Sequence, residues 1–396
     1  MSNIVSPQFQ TAQTVGARKV DASLGSHSGE LSRQWYKRPD DQRFLSLTDL
    51  YASVRGRGDR SHHMIADAKT LRVNAIAQDD GIELILPDGT PTTPTHWAFG
   101  QMCNMVKAPA SYLRALPAQL AAINLGYGLR SFREEDVKPF WTDGEDGQGV
   151  TLRAMTSTSY GRIMDAEVVE AVMRIAPDGS GWKVPGTMDW GSGIYDPNTA
   201  VTKQSTTLYA SDRDVFIFMC RDQNPIEVGK LSNGDPDLLF PGFIVSNSET
   251  GAAALKIETM FLRAVCMNRN LWGIEDRKST VIRHTSGAPD RFIRDAEPAL
   301  LEFSREASLP VRNRVMDAKR AIVADNDDER VDFLRKRDFS KTAAKQILDE
   351  FSAFEGRPAE SVWDMVQAIT LKARDIPHQD DRVDMERAAG KLMALA

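Results

Sequence analysis

The chain has 396 residues, 41% hydrophobic and 26% charged, an ordinary globular composition that excludes disorder throughout and has room for one large domain plus a smaller one. Lys and Arg total 49 against 55 Asp and Glu, a formal net charge of -6, which repels a polyanion at long range and excludes a uniformly basic coat protein while allowing a local basic face. Cys103, Cys220 and Cys266 lie far apart with no CxxC spacing, so they offer neither a zinc site nor a disulfide framework and fit a reducing cytoplasm.

The first 44 residues are rich in Ser, Gln and charge with little apolar periodicity, and read as a flexible arm. The opening MSNIVSPQFQTAQTVGARKV has no basic segment leading into an apolar run, and no later run reaches the roughly 20 apolar residues of a membrane span. The expectation is a soluble, unexported, cytoplasmic protein without a membrane partner. LSLTDLYASV (residues 45–54) predicts a short helix that the glycines and charges of RGRGDRSHH should break. LRVNAIA and GIELILPDG alternate apolar with polar residues, predicting a strand pair closed by a turn.

Helical spacing follows, at Trp97, Phe99, Met102, Met105 and Val106, then at Tyr112, Leu113, Leu116 and Leu120, with Pro109 separating two short helices. TLRAMTSTSYGRI is strand-like, and MDAEVVEAVMRIA is an amphipathic helix starting near Asp165. A long Gly-rich loop, PDGSGWKVPGTMDWGSGIYDPN, comes next. TTLYASDRDVFIFMCRD predicts a hairpin turning at Ser211 to Asp214, and GFIVSNSETGAAALKIE a second turning around Asn247 to Gly251, where Asn and Ser side chains bond nearby backbone amides. From about Pro289 the pattern is helical, with Ser340 as N-cap of KTAAKQILDEF. The fold class is therefore α+β: antiparallel β-hairpins or a meander with packed helices, followed by an α-helical C-terminal region. The expected division is 1–44 arm, 45–288 core domain and 289–396 helical region.

Phosphate-loop, nucleophile-elbow, dinucleotide and HExxH patterns are absent. Asp59, His62, His63 and Asp67 are of metal-ligating type but lack a helix-borne zinc spacing, and the same loop carries Arg55, Arg57, Arg60, Lys69 and Arg72, better suited to phosphate. In the Gly-rich loop, Trp182, Trp190 and Tyr195 beside Lys183 suit stacking on unpaired bases, or else plug the edge of the core. The strongest local charge holds Arg263, Arg269, Arg277, Lys278, Arg283, Arg291 and Arg294 against Glu275, Asp276, Asp290 and Asp295. It is either a phosphate-binding face or an ordinary solvated one. Glu249 and Glu258 flank the second hairpin, where a turn or surface role suffices.

Four ordered segments carry a resemblance: WAFGQMCNMVKAPASYLRALPAQLAAINLGYGL, LRAMTSTSYGRIMDAEVVEAV, PGFIVSNSETGAAALKIETMFLRAVCMNRNLWG and SVWDMVQAITLKARD. Together, over roughly residues 50 to 375, they resemble the phage- and plasmid-borne family catalogued as domain of unknown function 932. One departure is Arg269, which follows Asn268 where the family usually has Gly. The resemblance implies a role in a mobile element's replication, recombination or defence evasion. Hairpins followed by a helix are similar, at fold level, to phage single-strand annealing proteins of the Beta and Erf type.

The expected function is non-enzymatic binding of single-stranded DNA with promotion of annealing. Arg55, Arg57, Arg60, Arg263, Arg269, Arg277 and Lys278 would contact phosphates, and Trp182, Trp190 and Tyr195 would stack on bases. No metal or nucleotide cofactor is called for, and a homo-oligomer is expected. The alternatives are a cryptic metal-dependent nuclease using Asp59, His62, His63 and Glu249, and a module binding a host protein through the C-terminal helices.

Overall fold

The structure is a computed structural model that describes residues 38–76, 81–132, 136–145, 147, 149–177, 180–184, 200–221, 225–230, 234, 236–263, 269–270, 280–296, 298–299, 309–376 and 379–396. In chain order its first half runs β1 (Arg43–Phe44), α1 (Leu47–Asp59), β2 (Ser61–His63), β3 (Ala66–Asp67), β4 (Arg72–Ile76), β5 (Gly81–Ile85), β6 (Pro91–Pro94), α2 (His96–Met105), α3 (Ala110–Arg114), α4 (Ala118–Arg130), β7 (Asp136–Asp143), β8 (Val150–Ser157) and α5 (Asp165–Ile175). The second half adds β9 (Trp182–Lys183), β10 (Leu208–Ala210), β11 (Val215–Arg221), β12 (Ile226–Lys230), β13 (Pro236–Asn247), β14 (Leu255–Arg263), β15 (Arg269–Asn270) and β16 (Thr280–Ile282). The helices α6 (Ala288–Arg291), α7 (Leu309–Arg320), α8 (Asp327–Arg335), α9 (Lys341–Glu355), α10 (Val362–Ala373) and α11 (Gln379–Lys391) complete it.

These strands form two sheets, and the fold is α+β with a helical C-terminal region. The first sheet is antiparallel, in the order β1-β10-β11-β13-β14-β15, with β9 beside β11, β12 beside β13 and β16 beside β14. Strand β11, VFIFMCR, is apolar at both parities and buried through Cys220, because both of its faces are covered. On one side Ile217, Met219, Phe243 and Val245 pack against α1 and α5 in one core. A second core joins Ile226, Leu239 and Phe261 of β12 to β14 with Val315, Ile347 and Trp363 from the C-terminal helices. The helical region therefore covers part of this sheet.

The second sheet has the order β2-β7-β8-β6-β5-β4, with β3 beside β7. Its helix-covered face buries Val137, Leu152 and Met155 under Phe99 and Met102 of α2 and Leu125 and Leu129 of α4. One pairing departs from the antiparallel expectation: β6 runs parallel to β8, Thr93 opposite Thr151. The chain connecting them passes through α2 to α4 and β7, long enough for a crossover.

Both predicted hairpins form, Ser211 N–H closing onto the Asp214 carbonyl in the first and β13 pairing with β14 in the second. Ser340 caps α9 by accepting from Ala343 N–H. Three local expectations change. Helix α1 does not break at the glycines but continues to Asp59, because it packs on α5 and its Arg57 is anchored to the Ser211 carbonyl. Pro117 introduces a further break beyond Pro109, so three helices rather than two fill residues 96–130. Strand β7, DVKPFWTD, which the apolar pattern does not flag, lies second in the second sheet. Among the described residues no helix is long and apolar enough to cross a membrane.

Candidate anion-binding site

The turn between β13 and β14 joins the two sheets through buried charge. Glu249 is buried, and its Oε1 faces Arg153 Nη1 of β8 at 2.5 Å and Arg57 Nε of α1 at 3.4 Å. Its Oε2 accepts from the Asp165 backbone N–H at the start of α5, at 3.0 Å. The Asp165 carboxyl accepts from Arg57 Nη2 at 2.9 Å and from Asn247 Nδ2 at 2.8 Å. Asn247 also donates to the Ile163 carbonyl, and Ser248 Oγ donates to the Arg213 carbonyl while accepting from Ala252 N–H. From the helix side, Trp97 Nε1 and Gln101 Nε2 both donate to the Thr250 carbonyl, at 3.0 and 2.9 Å. The Asn and Ser residues thus hold backbone, as their short side chains suit them to do.

Burial raises the Glu249 carboxyl, but Arg153 and Arg57 outweigh it and hold the group down at about 2. Burial and then the Glu249 charge push Asp165 upward, well above the usual carboxylate range. The pair therefore carries its negative charge on Glu249.

Arg162 leads from this network to the surface. Its Nη1 donates to the Glu249 carbonyl, and its guanidinium lies over the Phe140 ring at 3.8 Å and near the Tyr160 ring at 5.1 Å. The Phe140 ring belongs to the face of β7 opposite the helices. His63 stands across from Phe140 in the β2–β7 register, and Lys138 is two residues away on the same face. Lys138 Nζ reaches the Tyr160 carbonyl at 3.4 Å. His284 follows β16, stacks on Tyr160 at 5.1 Å between ring centroids, and its Nδ1 lies 3.1 Å from the Gly161 carbonyl. Gly161 N–H donates to the His284 carbonyl, and a Cβ at Gly161 would collide with the Thr285 carbonyl oxygen, so only glycine permits this approach of the two sheets.

Four nitrogen bases thus surround one recess: His63, Lys138, Arg162 and His284. Burial and then Lys138 and Arg162 lower His63. Burial and then Arg162 lower Lys138. Burial lowers His284 against its Gly161 hydrogen bond, and Arg162 lowers it further. Arg162 itself is pulled down to about 10, chiefly by burial, with Tyr160 and Glu249 opposing. All four shifts oppose positive charge, and an anion in the recess would reverse each of them. Arg162 Nη2 and His284 Nε2 are buried without a hydrogen-bond partner among the described residues. Exposed hydroxyls of Ser157, Thr158, Ser159, Thr285 and Ser286 lie beside these residues in the chain. Arg291 Nη2 donates to Thr285 Oγ1 at 2.8 Å, adding a further cation at the rim.

The residues expected from sequence are dispersed. Arg55 pairs with Asp59 and Arg60 with Glu145, each at 3.0 Å on the surface, and Arg57 belongs to the buried network. Arg263 is buried, held by Asp237 at 2.7 Å and Glu355 at 2.6 Å. It lines a cavity of 460 Å³ where Lys230, Arg263, Lys319 and Arg357 meet Asp237, Glu355, Glu360 and Asp364, so the lining has no charge excess. Trp182 is buried with its ring 4.9 Å from that of Phe243, plugging the core edge. Arg269 lies in β15, with its side chain outside the described part. Trp190, Tyr195, Arg277 and Lys278 lie outside the described residues.

The nuclease set is not gathered either. His62 and His63 are neighbours on a strand and face opposite ways, His62 pairing with Asp143 at 3.1 Å, and Asp67 accepts from Lys69 N–H. Among the described residues no group of three or more His, Cys, Asp or Glu side chains could hold a metal ion. Sequence reasoning placed Tyr160, Gly161 and Arg162 in a strand and turn and passed over Lys138. The signal available was the Ser-x-x-Tyr-Gly-Arg run itself.

No curated protein and no solved structure matches the chain. The matched family segment, residues 193–375, a little under half the chain, includes the Glu249 turn, His284 and most of the C-terminal helices, and leaves out β7, β8 and Tyr160 to Arg162. What the match shows is that residues 193–375 are similar to the family described as Domain of unknown function (DUF932).

Proposed function

We propose that the protein binds single-stranded DNA through phosphate contacts in the recess formed by His63, Lys138, Arg162 and His284, and promotes strand annealing in the DNA metabolism of a phage or plasmid. The observation that supports this most is the gathering of Arg162 and Lys138 with His63 and His284 about the Phe140 and Tyr160 rings, in a molecule acidic overall. Cations that depress one another's basicity gain from any anion that enters, and partial burial strengthens the gain. No cofactor enters the proposal, because annealing runs downhill once strands are held extended.

Annealing calls for several protomers along a strand, so a homo-oligomer is part of the reading. Helix α4 presents Leu120, Ile123 and Tyr127 at positions i, i+3 and i+7, exposed by 48%, 65% and 68%, an apolar stripe that such assembly would use. Fluorescence anisotropy with labelled single- and double-stranded oligonucleotides at two salt concentrations tests the proposal. Salt-sensitive binding that prefers single strands and weakens in Lys138→Ala is the expected outcome. Absence of binding to either form at low salt overturns it, and divalent-dependent cleavage in the same samples would favour the nuclease instead.

A further inference from the structure

Among the described residues the charge of the recess gathers about Arg162, with Arg291 at its rim beyond His284. Around the Phe140 ring stand Arg162, Lys138 and His63, with His284 one stacking distance beyond at Tyr160. Leading away along β2, the next basic side chains are already engaged, His62 by Asp143 and Arg60 by Glu145. Along α1, Arg55 is taken by Asp59. The acids nearest Arg162 in charge, Glu249 and Asp165, lie behind it and are engaged by Arg57, Arg153 and Asn247. Arg162 is itself more than nine-tenths buried and keeps Nη2 without a hydrogen-bond partner among the described residues.

A strand passing through with internal phosphodiesters offers one negative charge per phosphate and needs cations spaced along its path. A terminal phosphate monoester concentrates roughly -1.5 to -2 charge at pH 7 and three acceptor oxygens in one group. Resting on the single-strand reading above, we infer that the recess recognises a phosphate monoester at the end of a nucleic-acid strand. Arg162 and Lys138 would take its charge, His63 would donate to its oxygens, and His284, protonated beside the anion, would donate from Nε2 while Nδ1 keeps its bond to the Gly161 carbonyl.

The test uses the full chain and one labelled oligonucleotide sequence in three forms: 5′-phosphate, 3′-phosphate and hydroxyl at both ends. One phosphorylated form should bind about tenfold tighter than the hydroxyl form, and which one names the end that is read. The gain should vanish in Lys138→Ala and His63→Ala. Both residues are partly or well exposed, so these variants should keep the circular dichroism of the parent. Equal affinity for all three forms overturns the inference and leaves single-strand binding standing. A gain that survives both substitutions overturns the recess as the reader. No binding of any form at low salt overturns the single-strand reading itself.

Discussion

Glu249 and Asp165 show how two carboxyls 84 positions apart come to carry unequal charge. Replacing Glu249 with Gln leaves Arg153 and Arg57 buried without their shared anion, a loss of about 3–5 kcal/mol. Asp165→Asn keeps a neutral acceptor where the raised carboxyl already favours its neutral form, and should cost only about 1 kcal/mol. Urea denaturation of both variants at pH 7 checks the contrast, and equal losses would contradict the assignment. The acid dependence follows with opposite signs. Stability from Glu249 is complete above its ordinary 4.5 and is lost as pH falls toward about 2. Asp165, raised from 3.8, costs stability as pH climbs above that value, so the Gln variant should lose the steep part of its acid limb.

At the level of elements, alternation and helical spacing made the strand pairs, both hairpins and the amphipathic helices legible, because each buries one regular face. Strand β7 escaped notice because Lys138 and Asp143 interrupt its apolar positions and Pro139 argues against a ladder strand. That same Lys138 is what gives the recess its charge. The site was not legible for a related reason: its parts come from β2, β7, the turn before α5 and the segment after β16, and no local pattern links them. The arginine-rich stretch drew attention by density, yet Arg263 serves a buried ion pair and Trp182 a core contact. At the joint itself, Gly161→Ala forces the Tyr160 turn away from Thr285. Such overpacking should cost about 1–3 kcal/mol and should loosen terminal-phosphate or oligonucleotide affinity together with stability. Thermal melting and anisotropy on the same preparation would show whether the two losses go together.

Across the whole molecule, the helices beyond residue 289 share a core with β12, β13 and β14, including Leu239, Phe261 and Trp363. Ending the chain at residue 288 would uncover that sheet face and strip Arg263 of Glu355. The truncated protein should be insoluble or lack a cooperative thermal transition; a soluble fragment with a sharp melt would show that the helices are dispensable. The net charge of -6 adds that any binding must be local and steeply weakened by salt.

The sheet order carries a further consequence for synthesis. Residues 61–67 pair with β7, and β6 waits for β8, so the second sheet is incomplete until residue 157 has been made. Arg57, Arg153 and Arg162 then still lack the Glu249 turn that neutralises and anchors them. On a ribosome delivering the N-terminus first, the two halves must remain open for more than ninety further residues, exposing Leu47, Leu50 and Val54 of α1, whose core partners come from α5 and the first sheet. A chaperone that shields nascent apolar segments would have its longest engagement with this protein in that interval.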